Sequence, residues 1–419
     1  MKKLLLLAGF VLASFLPSAA QRLTVGGYGE IALTRNFYSD NVYRYSSASK
    51  HVGEQHGRFD IPHAVVYLGY DFGKGWILQS EIEFEHLGTG SEVEKEYEEA
   101  GEWENEVERG GEVELEQFWI QKSFFPQLNV RMGHLVVPVG GLNYRHEPLN
   151  FFTVYRPEGE YTILPSTWHD TGVSIWGQAG SWRYEAMLVS GLDAMLFTRD
   201  NFIKNGAHTP FPFQVSTHPG VAARVDKAFA FGLDMGLSGY YSRAFNNTFP
   251  YEVVNNSYMD GVTGDTFVGA FDFRYMGRHL IVRGNADYGR LSDAKAISKY
   301  KSSKGAASGS PYSDTPVGDA AFAAGVEAGY DILSLFHPKD PEQKLYLFGR
   351  YECYNPYIAE SGQGTYTFTA KHRVAAGINW MPLPQIAVKA EYSHRFLKAG
   401  YNPEPSVSVG VCYLAFFRH

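Results

Sequence analysis

From Leu23 to Phe417 the chain is written in a period of two. Apolar and polar residues alternate over one run after another, as strands with one apolar and one polar face require. The runs are 23–37, 59–72, 76–87, 113–125, 128–137, 171–178, 182–192 and 219–227, then 229–243, 266–275, 279–291, 319–333, 344–354, 366–381, 385–397 and 406–417. That makes 16 segments, each long enough to cross a bilayer as a tilted strand. In 385–397, Ile386, Val388, Ala390, Tyr392 and Phe396 share one face, and Lys389, Glu391, Ser393 and Arg395 the other. In 76–87, Trp76, Leu78, Ile82 and Phe84 oppose Gln79, Glu81, Glu83 and Glu85. In 279–291, Leu280, Val282, Ala286 and Tyr288 oppose Arg283, Asn285 and Asp287.

The connections alternate in length. Gly73-Lys74-Gly75, Pro126-Gln127, Gly180-Ser181, Ala228, Gly277-Arg278 and Pro382-Leu383-Pro384 are tight turns. Between them run 38–58, 88–112, 138–170, 193–218, 244–265, 292–318 and 355–365. Only the turn at 334–343 is longer than its class requires. A soluble β-sandwich also alternates along its strands but gives no reason for short turns on one rim and long loops on the other. The pattern predicts an all-β protein, a 16-stranded antiparallel transmembrane β-barrel closed by pairing of its last strand with its first.

One long connection differs from the others. In 138–170, Pro138, Pro148, Pro157 and Pro165 cannot donate to a ladder, and Gly140-Gly141 invites a turn. Yet Leu142, Tyr144, Phe151, Phe152, Ile163, Leu164 and Trp168 need burial, so the segment is read as a third loop folded back into the lumen. It is expected to line a pore constriction with Arg145, His146, Glu147, Arg156, Glu158 and Glu160, presented to a water-filled lumen. On the strand faces that share the lumen the alternation places Arg131, Arg183, Glu81, Glu83, Arg283, Lys389 and Arg395.

Composition adds compartment. Met1-Lys2-Lys3, the apolar run from Leu4 to Leu16 and Ser18-Ala19-Ala20 read as a cleaved signal peptide over 1–20, leaving a barrel over 21–419. That apolar run is too short to span a membrane. Glycine at 44 residues, aromatics at 15 % and only 2 cysteines suit a large exported β-protein without disulfide staples. Cys353 and Cys412, on the thirteenth and last strands, lie too far apart around the wall to bond and should be free thiols.

Charge is local. Without the signal the chain carries 35 basic and 45 acidic residues, and 81–116 alone holds 15 glutamates against Lys95 and Arg109. This acidic external loop, 88–112, reads either as a solvated, self-repelling segment or as a divalent-cation site or electrostatic gate, since carboxylate oxygens suit Ca²⁺ and Mg²⁺. No EF-hand spacing is present. Ser166, His169 and Asp170 have triad residue types but no triad spacing, and His134 and His146 read as ordinary polar positions among 14 scattered histidines. No catalytic residue, metal or cofactor is expected, and no basic, aromatic-interleaved surface for nucleic acid is present. Gly-, Ser- and Ala-rich 299–313 reads as a flexible external loop.

Three stretches carry a family resemblance: GRFDIPHAVVYLGYDFGKGWILQSEIEFEHLGTG (57–90), GGEVELEQFWIQKSF (110–124) and HEPLNFFTVYRPEGEYTILPSTWHDTGV (146–173). The sequence resembles the phosphate-selective porin O and P family, in its Bacteroidetes-type outer-membrane branch. The resemblance implies a 16-stranded diffusion channel of the bacterial outer membrane, general or anion-preferring, constricted by its third loop. It implies a homotrimer in contact with outer-membrane lipid, delivered by the barrel assembly machinery. The partners to expect are small hydrophilic solutes or anions. The alternative reading is a barrel serving as an adhesin or surface enzyme, which would need a plugged lumen or a nucleophile and base on the outer rim.

Overall fold

The computed structural model of the protein describes residues 22–37, 55–89, 91–97, 103–165, 167–207, 213–247, 259–305, 315–336, 342–398 and 401–418. Residues 1–20, read from the sequence as a signal peptide, residues 38–54 of the first long connection, Ser166 and residues 306–313 lie outside them. The strands are β1 (Arg22–Asn36), β2 (His56–Asp60), β3 (His63–Gly73), β4 (Trp76–Glu85), β5 (Ser91–Tyr97), β6 (Trp103–Arg109), β7 (Glu112–Phe125), β8 (Leu128–Val136), β9 (His169–Ala179) and β10 (Trp182–Val189). They continue with β11 (Gly220–Ala228), β12 (Leu233–Arg243), β13 (Asp265–Met276), β14 (Leu280–Leu291), β15 (Ala320–Asp331), β16 (Lys344–Ile358), β17 (Lys371–Leu383), β18 (Ile386–Leu397) and β19 (Glu404–Arg418).

All but β5 and β6 belong to one sheet, and each neighbour pair is antiparallel. β2 and β3 both pair with β1, in line with one another, and break only at Ile61-Pro62. Counted as one stave they give sixteen, and β1 pairs with β19 from Thr24↔Arg418 to Asn36↔Ser406, closing the barrel.

The two faces of this wall are inverted relative to a soluble protein. Ile31, Leu68, Phe118, Ile120, Leu188, Leu237, Phe267, Leu347 and Val409 are exposed on the outside. Glu81, Ser174, Glu185, Arg224, Asp272, Glu327, Glu352 and Lys389 are buried on the inside. An apolar outer band around a polar interior is the surface of an outer-membrane barrel, and it disposes of the sandwich.

Two of the long connections differ from the expectation. The acidic stretch is not an unstructured loop: β5 and β6 form a hairpin whose register sets Glu92 opposite Glu108 and Glu94 opposite Glu106. The signal was present, since Glu92, Glu94 and Glu96 alternate with Val93 and Tyr97, but the charge count concealed it. The start of 299–313 is helical, in a helix over Ala294–Gly305 that buries Ala294, Ile297, Tyr300 and Lys301. The spacing i, i+3, i+6, i+7 lies hidden in a Lys- and Ser-rich composition, and the Lys301 ammonium is satisfied by the Phe197 carbonyl. Cys353 and Cys412 are free thiols.

Candidate functional site

Between β8 and β9 the chain runs from Val137 to Trp168 on the inner side of the wall. Its ends are joined, with the Val137 amide donating to the Trp168 carbonyl at 2.8 Å. Asn143 locks that junction. Its side-chain amide donates to the carbonyls of Val137 (2.7 Å) and Val139 (3.1 Å), and its oxygen accepts from the Trp168 amide (2.6 Å). The prolines prevent a long helix, so only short turns form, over Gly141–Tyr144, Pro148–Asn150 and Glu158–Ile163.

A segment buried without ladder partners must find them elsewhere. The wall supplies them. Lys389 donates to the carbonyls of Pro148 (2.6 Å), Phe151 (3.0 Å) and Thr153 (2.9 Å). Asn379 donates to the Phe152 carbonyl (2.5 Å), and Arg283 reaches that of Asn150. Glu391 accepts from the Val154 amide (3.0 Å) and Glu352 from that of Gly159 (3.1 Å). Within the segment, Glu160 accepts from the amides of Asn143 (2.8 Å) and Gly141 (3.1 Å). Gly140 at φ 84 has to be glycine, because a Cβ there would lie 2.3 Å from the Glu160 carboxylate. Burial, offset in part by those amides, pushes the Glu160 carboxyl up to about 7.

The six segment residues therefore do not all face water. His146, Arg156 and Glu160 are buried, and Glu158 is closed in by arginines. Arg145 keeps 25 % of its side chain exposed and reaches Asp272 at 3.7 Å. Glu147 accepts from Asn150 (2.7 Å). The reason is electrostatic: Arg145, His146, Arg156 and Glu158 each meet an opposite charge at the wall, while Glu147 and Glu160 accept from amides of the segment itself.

On the basic flank Arg373 and Arg395 are register partners on adjacent strands, as are Arg274 and Arg283. Like charges directly opposite repel, so counter-ions must intervene. Glu158 does so for the first pair: Arg395 Nε donates to both its oxygens (2.8 and 2.7 Å), and Arg373 Nε lies at 3.4 Å. Burial alone would raise the Glu158 carboxyl, but Arg373 and Arg395 hold it well below the usual range. Glu327 holds Arg283 (2.9 Å) and Arg350 (3.4 Å), and Arg350 also meets Glu352 (3.0 Å). Lys389 is not presented to water either; it is consumed by the three segment carbonyls.

Lower on the wall Arg131 lies over Trp119 (4.5 Å) and Trp176 (5.5 Å), and Arg183 over Trp176 (5.4 Å) and Tyr144 (5.1 Å). Arg183 also pairs with Glu185 at 2.5 Å. These stacked, half-buried guanidiniums form a second basic row on the inner face.

The opposite flank is acidic. Glu81, Glu83 and Glu116, from β4 and β7, are buried under His146 and Arg156 of the segment. His146 Nε2 lies 3.6 Å from Glu81, and Arg156 4.0 Å from Glu83 and 3.4 Å from the Tyr28 hydroxyl. Burial alone would lower the His146 pKa, but Glu81, Glu147 and Glu116 raise it to about 9. His63, hydrogen-bonded to Glu30 at 2.5 Å, points its other nitrogen at Glu83 (3.8 Å) and Glu85 (3.9 Å). Sequence reasoning missed Glu30, His63, Glu116, Arg224, Arg274, Glu327, Arg350, Glu352 and Arg373. Alternation applied to their strands would have put most of them on the polar face, but nothing in sequence says which would meet.

Two openings flank the segment. One encloses about 190 Å³ between it and the β1–β4 and β17–β19 wall, with Arg58, Arg156, Arg373 and Arg395 facing Asp60, Glu85, Glu158 and Glu391. The other, about 60 Å³, has Arg145, Arg274, Arg283 and Arg350 against Glu160, Asp272 and Glu327.

No protein-family model matches the chain. A protein of Aquifex aeolicus (strain VF5), itself uncharacterised, is 28 % identical over 377 residues, 88 % of this chain and 75 % of that one. Among solved structures, the anion-selective porin from Comamonas acidovorans aligns at a TM-score of 0.53 with 10 % identity, covering 94 % of this chain and 100 % of that one. The outer membrane channel DcaP of Acinetobacter baumannii aligns at 0.52 with 11 % identity over 96 % and 99 %. OmpF of Salmonella typhi aligns at 0.53 with 9 % identity over 94 % and 97 %. At these identities the likeness is one of fold.

Proposed function

We propose that this protein is a general outer-membrane porin, a passive channel for small hydrophilic solutes with a weak preference for anions. The segment 138–170 forms its constriction. The observation that carries this reading is the polar barrel interior, with two charge-lined cavities beside an inward-packed segment. A barrel with a polar lumen and charged rings at a narrow waist selects by size and field rather than by chemistry. The preference is weak because the openings are nearly balanced, four guanidiniums against four carboxylates in the larger and four against three in the smaller.

The sequence resemblance to the phosphate-selective O and P porins, and the fold of the structures above, support a porin. Guanidiniums already paired with Glu158, Glu327, Glu352 and Glu391 argue for a general path rather than a dedicated phosphate ladder. The same resemblance supports a homotrimer. The test is a planar bilayer with a KCl gradient. The wild type should show a small reversal potential of anionic sign, and R145Q/R395Q should shift it towards cations. No conductance, or an unchanged potential in the double variant, overturns the reading.

A further inference from the structure

The acidic flank contains a cluster that the pore reading does not use. Glu81 (β4), Glu116 (β7) and His146 (inner segment) bring one ligand atom each within 4.8 Å of one another, all three buried. Glu81 and Glu116 are 0 % exposed and His146 5 %. Glu81 Oε1, both oxygens of Glu116 and His146 Nε2 have no hydrogen-bond partner among the described residues. Four unpartnered polar atoms in so small and dry a volume are costly unless something occupies the space between them.

The histidine is prepared as a ligand. Its Nδ1 donates to the Asn143 carbonyl at 3.0 Å, which fixes the ring and turns Nε2 towards the carboxylates. Asn143 is itself held by three hydrogen bonds at the segment's base, so the ring sits on a rigid support. Glu81 is held from the other side by the Gln117 side-chain amide. Each of these two ligands thus has a hydrogen-bonded outer partner, as metal ligands ordinarily do.

We infer that Glu81, Glu116 and His146 form a buried site for a divalent transition-metal cation of the Zn²⁺ class, which fastens the inner segment to β4 and β7. One imidazole nitrogen with two carboxylates suits Zn²⁺, Mn²⁺ or Fe²⁺, whereas Ca²⁺ and Mg²⁺ prefer all-oxygen cages. Donors at about 2.0–2.2 Å from such an ion require the three side chains to close in. Glu83, whose carboxylate lies beside that of Glu116, or a water molecule completes the shell. The charge then balances: three carboxylates face Arg156 and a dication with neutral His146.

Metal binding itself does not depend on the porin reading; only its effect on conductance does. The full-length mature barrel, refolded into detergent with EDTA and then dialysed against Co²⁺ or Zn²⁺, should retain one equivalent per chain by elemental analysis. Its Co²⁺ form should show visible ligand-field bands. E116Q and H146Q should lose ~100-fold or more in Co²⁺ affinity. E81Q, checked for folding by heat-modifiable gel mobility, provides a second variant. Failure of the wild type to retain metal, or equal retention by all three variants, overturns the site, the second outcome placing the ion elsewhere on the chain. Retention with unchanged single-channel conductance upholds the site and counts against the constriction instead.

Discussion

The two flanks of the lumen solve the same problem in different ways. On the β14–β18 side arginines and carboxylates are interleaved, with Arg283–Glu327 at 2.9 Å, Arg350–Glu352 at 3.0 Å and Arg373–Glu391 at 2.9 Å. There the inner segment docks through its backbone and through Glu158, which completes the charge matching between Arg373 and Arg395. On the β4–β7 side Glu81, Glu83 and Glu116 outnumber their cations, and the segment docks through the side chains of His146 and Arg156. The difference teaches that charge density alone does not define a site. A matched network is scaffold, whereas an unmatched one invites a further cation.

The comparison breaks most readily at Glu158. Glu158→Ala leaves Arg373 and Arg395 opposed across adjacent strands, and removing one partner of a buried ion pair costs about 3–5 kcal/mol. Urea unfolding in detergent should show that loss; a change below about 1 kcal/mol would mean the flank is not matched as described. Next comes Lys389→Met, which strands the carbonyls of Pro148, Phe151 and Thr153 at about 1–3 kcal/mol for each buried acceptor left unsatisfied. Water entry will soften this, so a total nearer about 3 kcal/mol is expected, together with noisier single-channel current.

On the acidic flank the sign should differ. Glu83→Gln in EDTA should leave stability within about 1 kcal/mol of wild type or raise it, because it relieves repulsion as much as it removes attraction to Arg156. A loss as large as that of Glu158→Ala would erase the distinction between the flanks. A pH dependence belongs to Glu160, whose pKa rises from 4.5 unfolded to about 7 folded. Its stabilising contribution is present below 4.5 and is lost as pH rises through about 7, so segment stability should fall across that window. Glu160→Gln should flatten the profile, as followed by the pH dependence of the unfolding midpoint.

Much of the barrel was legible because a wall between lipid and a polar interior imposes period two on every stave. In β18 Lys389 and Glu391 are buried inside while Tyr392 and Phe396 are exposed outside. Turn chemistry at Gly73-Lys74-Gly75 and at Gly180-Ser181 fixed the short rim. The inner segment was legible only as a negative, a stretch too rich in proline to be strand and too apolar to be left outside. Its contacts were not. Glu81 and His146 are far apart in the chain and carry no spacing motif, and the role of Lys389 depends on where three carbonyls fall in space. Alternation gives the face of a residue, and only the closed fold supplies its neighbour across the lumen.

The seam between β1 and β19 joins residues separated by nearly the whole mature chain, from Thr24↔Arg418 onwards. Local hairpins can zip the other staves one by one, but this ladder bears the loop-closure entropy of the entire sheet. No connecting turn sets its register, and a slip of one residue would send Val407, Val409 and Val411 inwards. Until it forms, the sheet has two open edges able to template strand addition by any neighbouring chain. Barrel completion is therefore a late, all-or-none step, available only after the C-terminal strand has been exported, and its rate rather than the stability of the finished wall governs how long the unfinished sheet is exposed to misassembly.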